Sequence, residues 1–159
     1  MIPISTILEA EKYKQEGFLV AAERDGEIVK GFDIGNSPFG YMNKKIKGKT
    51  IAITTTNGTR ALDVARKAKK VIIGSFLNQD KVVEYLKAQK SDVLFLCAGW
   101  KNKFNLEDAL FAGAVSEALI YKKGFDSHCD STIASMELYK LAKHNLFDFL
   151  LLQNYFLGS

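Results

Sequence analysis

Apolar residues along this chain fall into short strand-like runs that alternate with segments of helical spacing. Ile2 to Ser5 reads as a strand, and Phe18-Leu19-Val20-Ala21-Ala22 as a second one buried on both faces. Between them, Ile7, Leu8, Ala10, Glu11 and Tyr13 lie in a helix that Ser5 or Thr6 caps and Gly17 closes. The charged loop Glu23-Arg24-Asp25-Gly26 carries a turn dipeptide and leads into a small hairpin arm, Glu27 to Phe32. Pro38 suits the first position of a short helix, Phe39 to Asn43, with Ser37 as its cap. Ile51 to Thr56 is a β-favouring run that turns into a helix over Arg60 to Lys69. Two further strands, Lys70 to Phe76 and Asp92 to Gly99, flank a helix from Asn78 to Gln89. Asn105 then opens the longest helix, running to about Lys122. Its small face, Ala109, Ala112, Gly113 and Ser116, suits close approach to a sheet. Asp126 to His144 is helical, with His128 and His144 read as surface or interhelix residues. The tail from Leu146 to Leu157 is apolar nearly all round, so something must cover it.

Strand–helix alternation without repeats, linkers or low-complexity segments predicts an α/β fold. The expected architecture is one domain over residues 1–159, a mostly parallel sheet with helices on both faces in three αβα layers, with 146–159 as an atypical tail. The apolar tail and unpaired strand edges lead us to expect a homo-oligomer.

Composition narrows the function classes. A hydrophobic share of 47% with 25% charged residues is ordinary for a globular protein. The net charge of +4 leans towards anionic ligands, yet the basic residues are scattered without the aromatic interleaving that stacks bases, so no nucleic acid partner is expected. No run approaches the length of a membrane span, and no signal peptide precedes the first helix, so a cytoplasmic protein is expected. Cys97 and Cys129 lack zinc or disulfide spacing, and Cys97 reads as a small buried hydrophobe.

The candidate chemistry concentrates in Thr54-Thr55-Thr56-Asn57-Gly58-Thr59-Arg60. A strand turning sharply into a helix N-terminus points backbone N–H groups at one spot with the helix dipole behind them, which suits an anion. Asn57 or Thr56 can cap the helix, Gly58 can adopt angles a side chain forbids, and Arg60 adds a bidentate guanidinium. The plain alternative is a capped turn that binds nothing. In Gly31-Phe32-Asp33-Ile34-Gly35-Asn36-Ser37-Pro38, Asp33 and Asn36 are either turn formers or ligand contacts. Glu23 and Arg24 read most simply as a solvated ion pair. Glu107 and Asp108 complement the dipole of their helix, or else hold Mg²⁺, which takes oxygen ligands. A dinucleotide-binding reading is weak, because no GxGxxG follows a strand.

Three stretches taken in order resemble the 2-phosphosulfolactate phosphatase family: Gly31 to Pro38, Thr54 to Ala61, and Cys97-Ala98-Gly99 followed by Leu106-Glu107-Asp108 and Ala112-Gly113. The likeness spans roughly Ile2 to His144. It implies a Mg²⁺-dependent phosphatase acting on phosphate esters of small 2-hydroxy acids, such as the conversion of 2-phosphosulfolactate to sulfolactate in coenzyme M biosynthesis. On that reading Thr55, Thr56, Asn57, Gly58, Thr59 and Arg60 cradle an anionic group of a small phosphate ester. Arg24, Asn36 and Ser37 contact the rest of the substrate. Glu107 and Asp108, with Asp33, hold or orient Mg²⁺ and the attacking water, so that Arg60, Asp108 and Asp33 form the catalytic set. Family members also carry an earlier strand–helix segment with an Asp-Val-Leu-Arg-like motif, and they continue beyond the end of this chain. The chain is therefore expected to be a piece of such a phosphatase. The alternative is a catalytically inactive module that binds an anion or assembles with another chain.

Overall fold

A computed structural model describes residues 1–32 and 34–157, with the backbone alone described for residues 122–123 and 152–157. The chain divides into two compact units, Met1–Val71 and Ile72–Ser159. Its strands form a mostly parallel sheet in an α/β fold.

The first unit holds that sheet. Strands β1 (Ile2–Pro3), β2 (Leu19–Arg24), β3 (Glu27–Ile28) and β4 (Ile51–Thr54) lie in the order β1-β4-β2-β3. β4 pairs in parallel with both β1 and β2, in the register Ile2 to Ala52 to Val20, and β3 turns back antiparallel along β2. Helix α1 (Ile7–Gln15) packs on β2 and β4, burying Ala10 against Ile4, Val20 and Ala52. Its ends follow from local sequence. Thr6 Oγ1 accepts from the Glu9 N–H at 3.1 Å, while Glu9 Oε2 accepts from the Ser5 and Thr6 N–H groups at 2.8 and 3.0 Å. At the other end Gly17 takes φ 83, so that Gly17 N–H reaches Lys14 O and Phe18 N–H reaches Tyr13 O, both at 3.0 Å. The Tyr13 and Phe18 rings then meet edge to face at 5.3 Å and close the helix with an apolar contact. A four-residue helix α2 (Pro38–Tyr41) precedes a short 3₁₀ turn at Lys44–Ile46, and α3 (Gly58–Ala65) follows β4. The helix expected over Arg60 to Lys69 thus starts earlier and ends sooner.

The second unit is helical: α4 (Gln79–Gln89), α5 (Leu106–Lys123), α6 (Asp130–Ala142) and α7 (Leu146–Leu157). Val82, Val83 and Leu86 of α4 pack on Val115 and Leu119 of α5, with Val93, Phe95 and Phe111 against them. Two strands expected here are not formed among the described residues. Ile72 to Ser75 and Val93 to Ala98 run as irregular backbone. The first run, expected to be buried, is exposed over Ile72 to Ser75, whereas in the second Val93 and Phe95 are half-buried and Leu94 is 90% exposed. Neither run has a ladder partner among the described residues of this unit, and β-propensity without a neighbouring strand does not make a sheet.

The small face of α5 also differs from expectation. It meets a helix, not a sheet: a Cβ on Gly113 would lie 2.0 Å from Ser135 O in α6. Lys143 reaches Glu117 across the same pair at 3.0 Å. His128 and His144 are exposed, as their sequence setting suggested. In α7, Phe147 is 72% exposed, with Phe149 and Leu150 half-buried.

Candidate functional site

β1, β4 and β2 run in one direction, so their carboxyl ends share one edge of the sheet, where open α/β sheets place their ligands. At that edge the chain leaves β4 at Thr54 and enters α3 at Gly58. The N–H groups of Asn57, Gly58, Thr59 and Arg60 precede the first intrahelical donor, Ala61, which bonds to Asn57 O at 3.0 Å. Asn57, one of the two residues expected, holds the cap position of α3 but does not make the capping bond. Asn57 sits in the right-handed helical region (φ −117, ψ −45), not the extended region from which a side chain turns back, and it makes no side-chain cap. Thr55 caps instead: its Oγ1 accepts from the Thr59 N–H at 3.2 Å, and Thr59 Oγ1 donates to Thr55 O at 3.0 Å. Gly58 is helical, so its missing side chain matters for space: a Cβ there would lie 3.1 Å from Thr55 Oγ1.

These bonds sort the hydroxyls. A threonine offers one O–H donor and two acceptor lone pairs. Thr59 spends its O–H on Thr55 O, whereas Thr55 and Thr56 are engaged as acceptors, Thr56 from the Asp25 N–H at 3.0 Å. The O–H protons of Thr55 and Thr56 can therefore be offered to an anion. Thr55 to Gly58 are half-buried, Thr59 is buried and Arg60 is exposed in the first turn of α3.

Arg24 does not form the expected ion pair with Glu23. Its Nη1 donates to the Glu23 backbone carbonyl at 2.7 Å and its Nη2 to Thr54 Oγ1 at 2.8 Å, while the Glu23 carboxylate accepts from the Gly26 N–H at 3.0 Å. Thr54, wholly buried, opens the motif but was given no role of its own from the sequence. A threonine continuing the apolar Ile51-Ala52-Ile53 run was the available signal. Asn36 and Ser37 are exposed just before α2, and Ser37 makes no side-chain cap although Pro38 follows it. Asp33 lies outside the described residues.

In the second unit, Asn105 caps α5 as expected, its Oδ1 accepting from the Asp108 N–H at 3.1 Å. The Asp108 carboxylate, half-buried, accepts from the Gly99 N–H at 2.7 Å. Gly99 has φ 71, and a Cβ on it would lie 2.7 Å from Lys103 O, so only glycine fits this loop. Glu107 is exposed beside Asp108. No cluster of three or more His, Cys, Asp or Glu side chains forms among the described residues. Mg²⁺ commonly takes only one or two carboxylates together with waters and substrate phosphate. A carboxylate has roughly four lone-pair positions, and the bond to Gly99 uses one of those on Asp108, which leaves the others able to accept such an ion. Cys97 is exposed, not buried, because its segment joins no sheet among the described residues. The protein around it and the Asp108 carboxylate push its thiol above the usual range, so it is not an activated nucleophile.

A sequence profile described as 2-phosphosulpholactate phosphatase matches residues 1–155. The chain belongs to this phosphatase family. A relative from Caldanaerobacter subterraneus subsp. tengcongensis, named a probable 2-phosphosulfolactate phosphatase, is 42% identical over 152 residues, covering 93% of this chain and 63% of its own length. Another of the same name, from Thermotoga petrophila, is 51% identical over 119 residues, which is 75% of this chain and 52% of the relative. The chain thus spans between about half and two thirds of these family members. No helix among the described residues is long and apolar enough to cross a membrane.

Proposed function

We propose that this chain carries the phosphate-ester site of a phosphoric monoester hydrolase acting on 2-phosphosulfolactate or a related 2-phospho-hydroxy acid. The observation that carries the reading is the Thr55–Arg60 turn at the carboxyl edge of a parallel sheet, in a chain whose family match covers residues 1–155. Phosphoryl transfer needs positioning and charge neutralisation more than covalent machinery. In this reading the phosphate lies at the N-terminus of α3, where the dipole favours negative charge and the Thr55 and Thr56 hydroxyls can donate. Arg60 adds a planar cation from the first turn. Asn36 and Ser37, exposed before α2, are assigned to the carboxylate or sulfonate end of the substrate.

Glu107 and Asp108 are the residues assigned to Mg²⁺. A Mg²⁺ ion bound there would supply charge neutralisation and a water of lowered pKa. Asp108 is held for this work by the Gly99 N–H and by the Asn105 cap beneath it. We place the protein in the cytoplasm, acting on a small soluble anion.

Replacement of Arg60 tests the cradle. Arg60→Ala is expected to lower kcat/KM for 2-phosphosulfolactate by about 10²-fold or more, the scale of losing one charge-stabilising group. Wild-type kcat/KM in that variant would remove the turn from the site.

A further inference from the structure

The two residues that end β2 and begin its hairpin turn donate to alternate threonines at the exit of β4. Arg24 Nη2 lies 2.8 Å from Thr54 Oγ1, and the Asp25 N–H lies 3.0 Å from Thr56 Oγ1. The guanidinium touches the ends of all three parallel strands: Ser5 O beyond β1 at 3.4 Å, Thr54 in β4, and Glu23 O in its own β2 at 2.7 Å. The donating hairpin is itself fixed. Asp25 and Gly26 both take positive φ, 55 and 88, as a two-residue turn requires, and the Glu23 carboxylate holds the Gly26 N–H. Thr54 is 0% exposed with Arg24 in place, so in the native fold the guanidinium and not solvent serves its hydroxyl.

We infer that Arg24 and Thr54 are positioning residues of the phosphate-ester site, which set the turn from Thr55 to Thr59 and do not touch the substrate. The inference rests on the phosphatase reading of that turn, and it moves Arg24 out of the substrate-binding set. Two lines of physics carry it. A hydroxyl that accepts a charge-assisted hydrogen bond inside the protein is costly to leave unmatched, so the Arg24–Thr54 pair fixes the point from which the turn departs. The turn immediately following holds the N–H groups and hydroxyls that would face the phosphoryl group, and a shift of about 1 Å there can cost about 10²-fold in rate. Asp25 and Thr56 supply the second tie, one residue further out on each side.

A positioning pair acts on the transition state more than on binding, and exchange at the turn compared with exchange elsewhere in the chain separates this from a general loss of stability, which lowers apparent kcat as well. In the full chain, Thr54→Val is expected to lower kcat for 2-phosphosulfolactate by about 10-fold to 10²-fold with KM within about 3-fold of wild type. Thr54→Ser, which keeps the hydroxyl, is expected to restore kcat. Amide hydrogen exchange at Thr59, whose N–H bonds to Thr55 Oγ1, should accelerate relative to the amides of α5 in Thr54→Val and in Arg24→Ala and remain at the wild-type rate in Thr54→Ser. The inference is overturned if Arg24→Ala raises KM strongly while kcat and exchange stay at wild-type values, since Arg24 is then a substrate ligand. It is equally overturned if exchange in Thr54→Val is unchanged. Exchange separates this claim from the phosphatase reading: a wild-type chain that releases no phosphate would sink the latter, while the response of the turn amides still decides the former.

Discussion

The threonines around the candidate site differ less in type than in what their hydroxyls already do. Thr6 and Thr55 cap helices, Thr59 closes its own turn, and Thr54 holds a guanidinium. The caps at Thr6 and Asn105 were legible in the sequence from residue type and position, and the structure adds their partners, Glu9 and Asp108, three residues on. The Arg24–Thr54 tie was not, since it joins residues 30 apart that only strand pairing brings together. The cap position at α3 was legible as Asn57, but the capping bond comes from Thr55, because side-chain capping depends on the backbone angles of Asn57, which composition does not reveal. Glu9 gives a pH test of the local bonding. The Ser5 and Thr6 N–H groups hold its carboxyl below the usual 4.5. A depressed carboxylate adds stability that is fully present above its unfolded value and fades as pH falls through the folded one. Glu9→Ala should therefore lower the Tm at pH 7, and the gap from wild type should narrow as pH drops below 4.5, measured by thermal melts followed by circular dichroism.

Among the elements, helices were read more reliably than strands. The spacing that defines α1, α4 and α5 is intrinsic to each segment, so their limits match the pattern to within a residue or two. A strand exists only with a neighbour. Lys70 to Phe76 and Asp92 to Gly99 have the composition of strands without a paired edge among the described residues, and Val71, Ile72 and Ile73, expected to be buried, are exposed. Likewise the small stripe on α5 announced close packing without naming its partner. That partner is α6, where Gly113 faces the Ser135 carbonyl. Backbone atoms cannot rotate aside as a side chain would. Gly113→Ala is expected to force α5 and α6 apart and destabilise the second unit by about 1–3 kcal/mol, read from urea denaturation.

At the scale of the whole molecule, the family was the most legible feature, because three separated motifs in order constrain it more than any single element does. The α/β class and parallel pairing followed from strand–helix alternation, and the sheet order β1-β4-β2-β3 explains why Ser5, Arg24 and Thr54 gather at one edge. The sequence could rank Glu107 and Asp108 as metal ligands only by residue type, and the structure adds the bonds that hold Asp108 in place. The most direct test of the account is phosphate release from 2-phosphosulfolactate by the purified 159-residue chain, with Mg²⁺ and again after EDTA. The account predicts release with Mg²⁺ that ceases when the ion is removed and returns when it is restored. A chain shown to be folded that releases no phosphate in either condition would contradict it, and would mark the turn as an anion-holding module without catalysis.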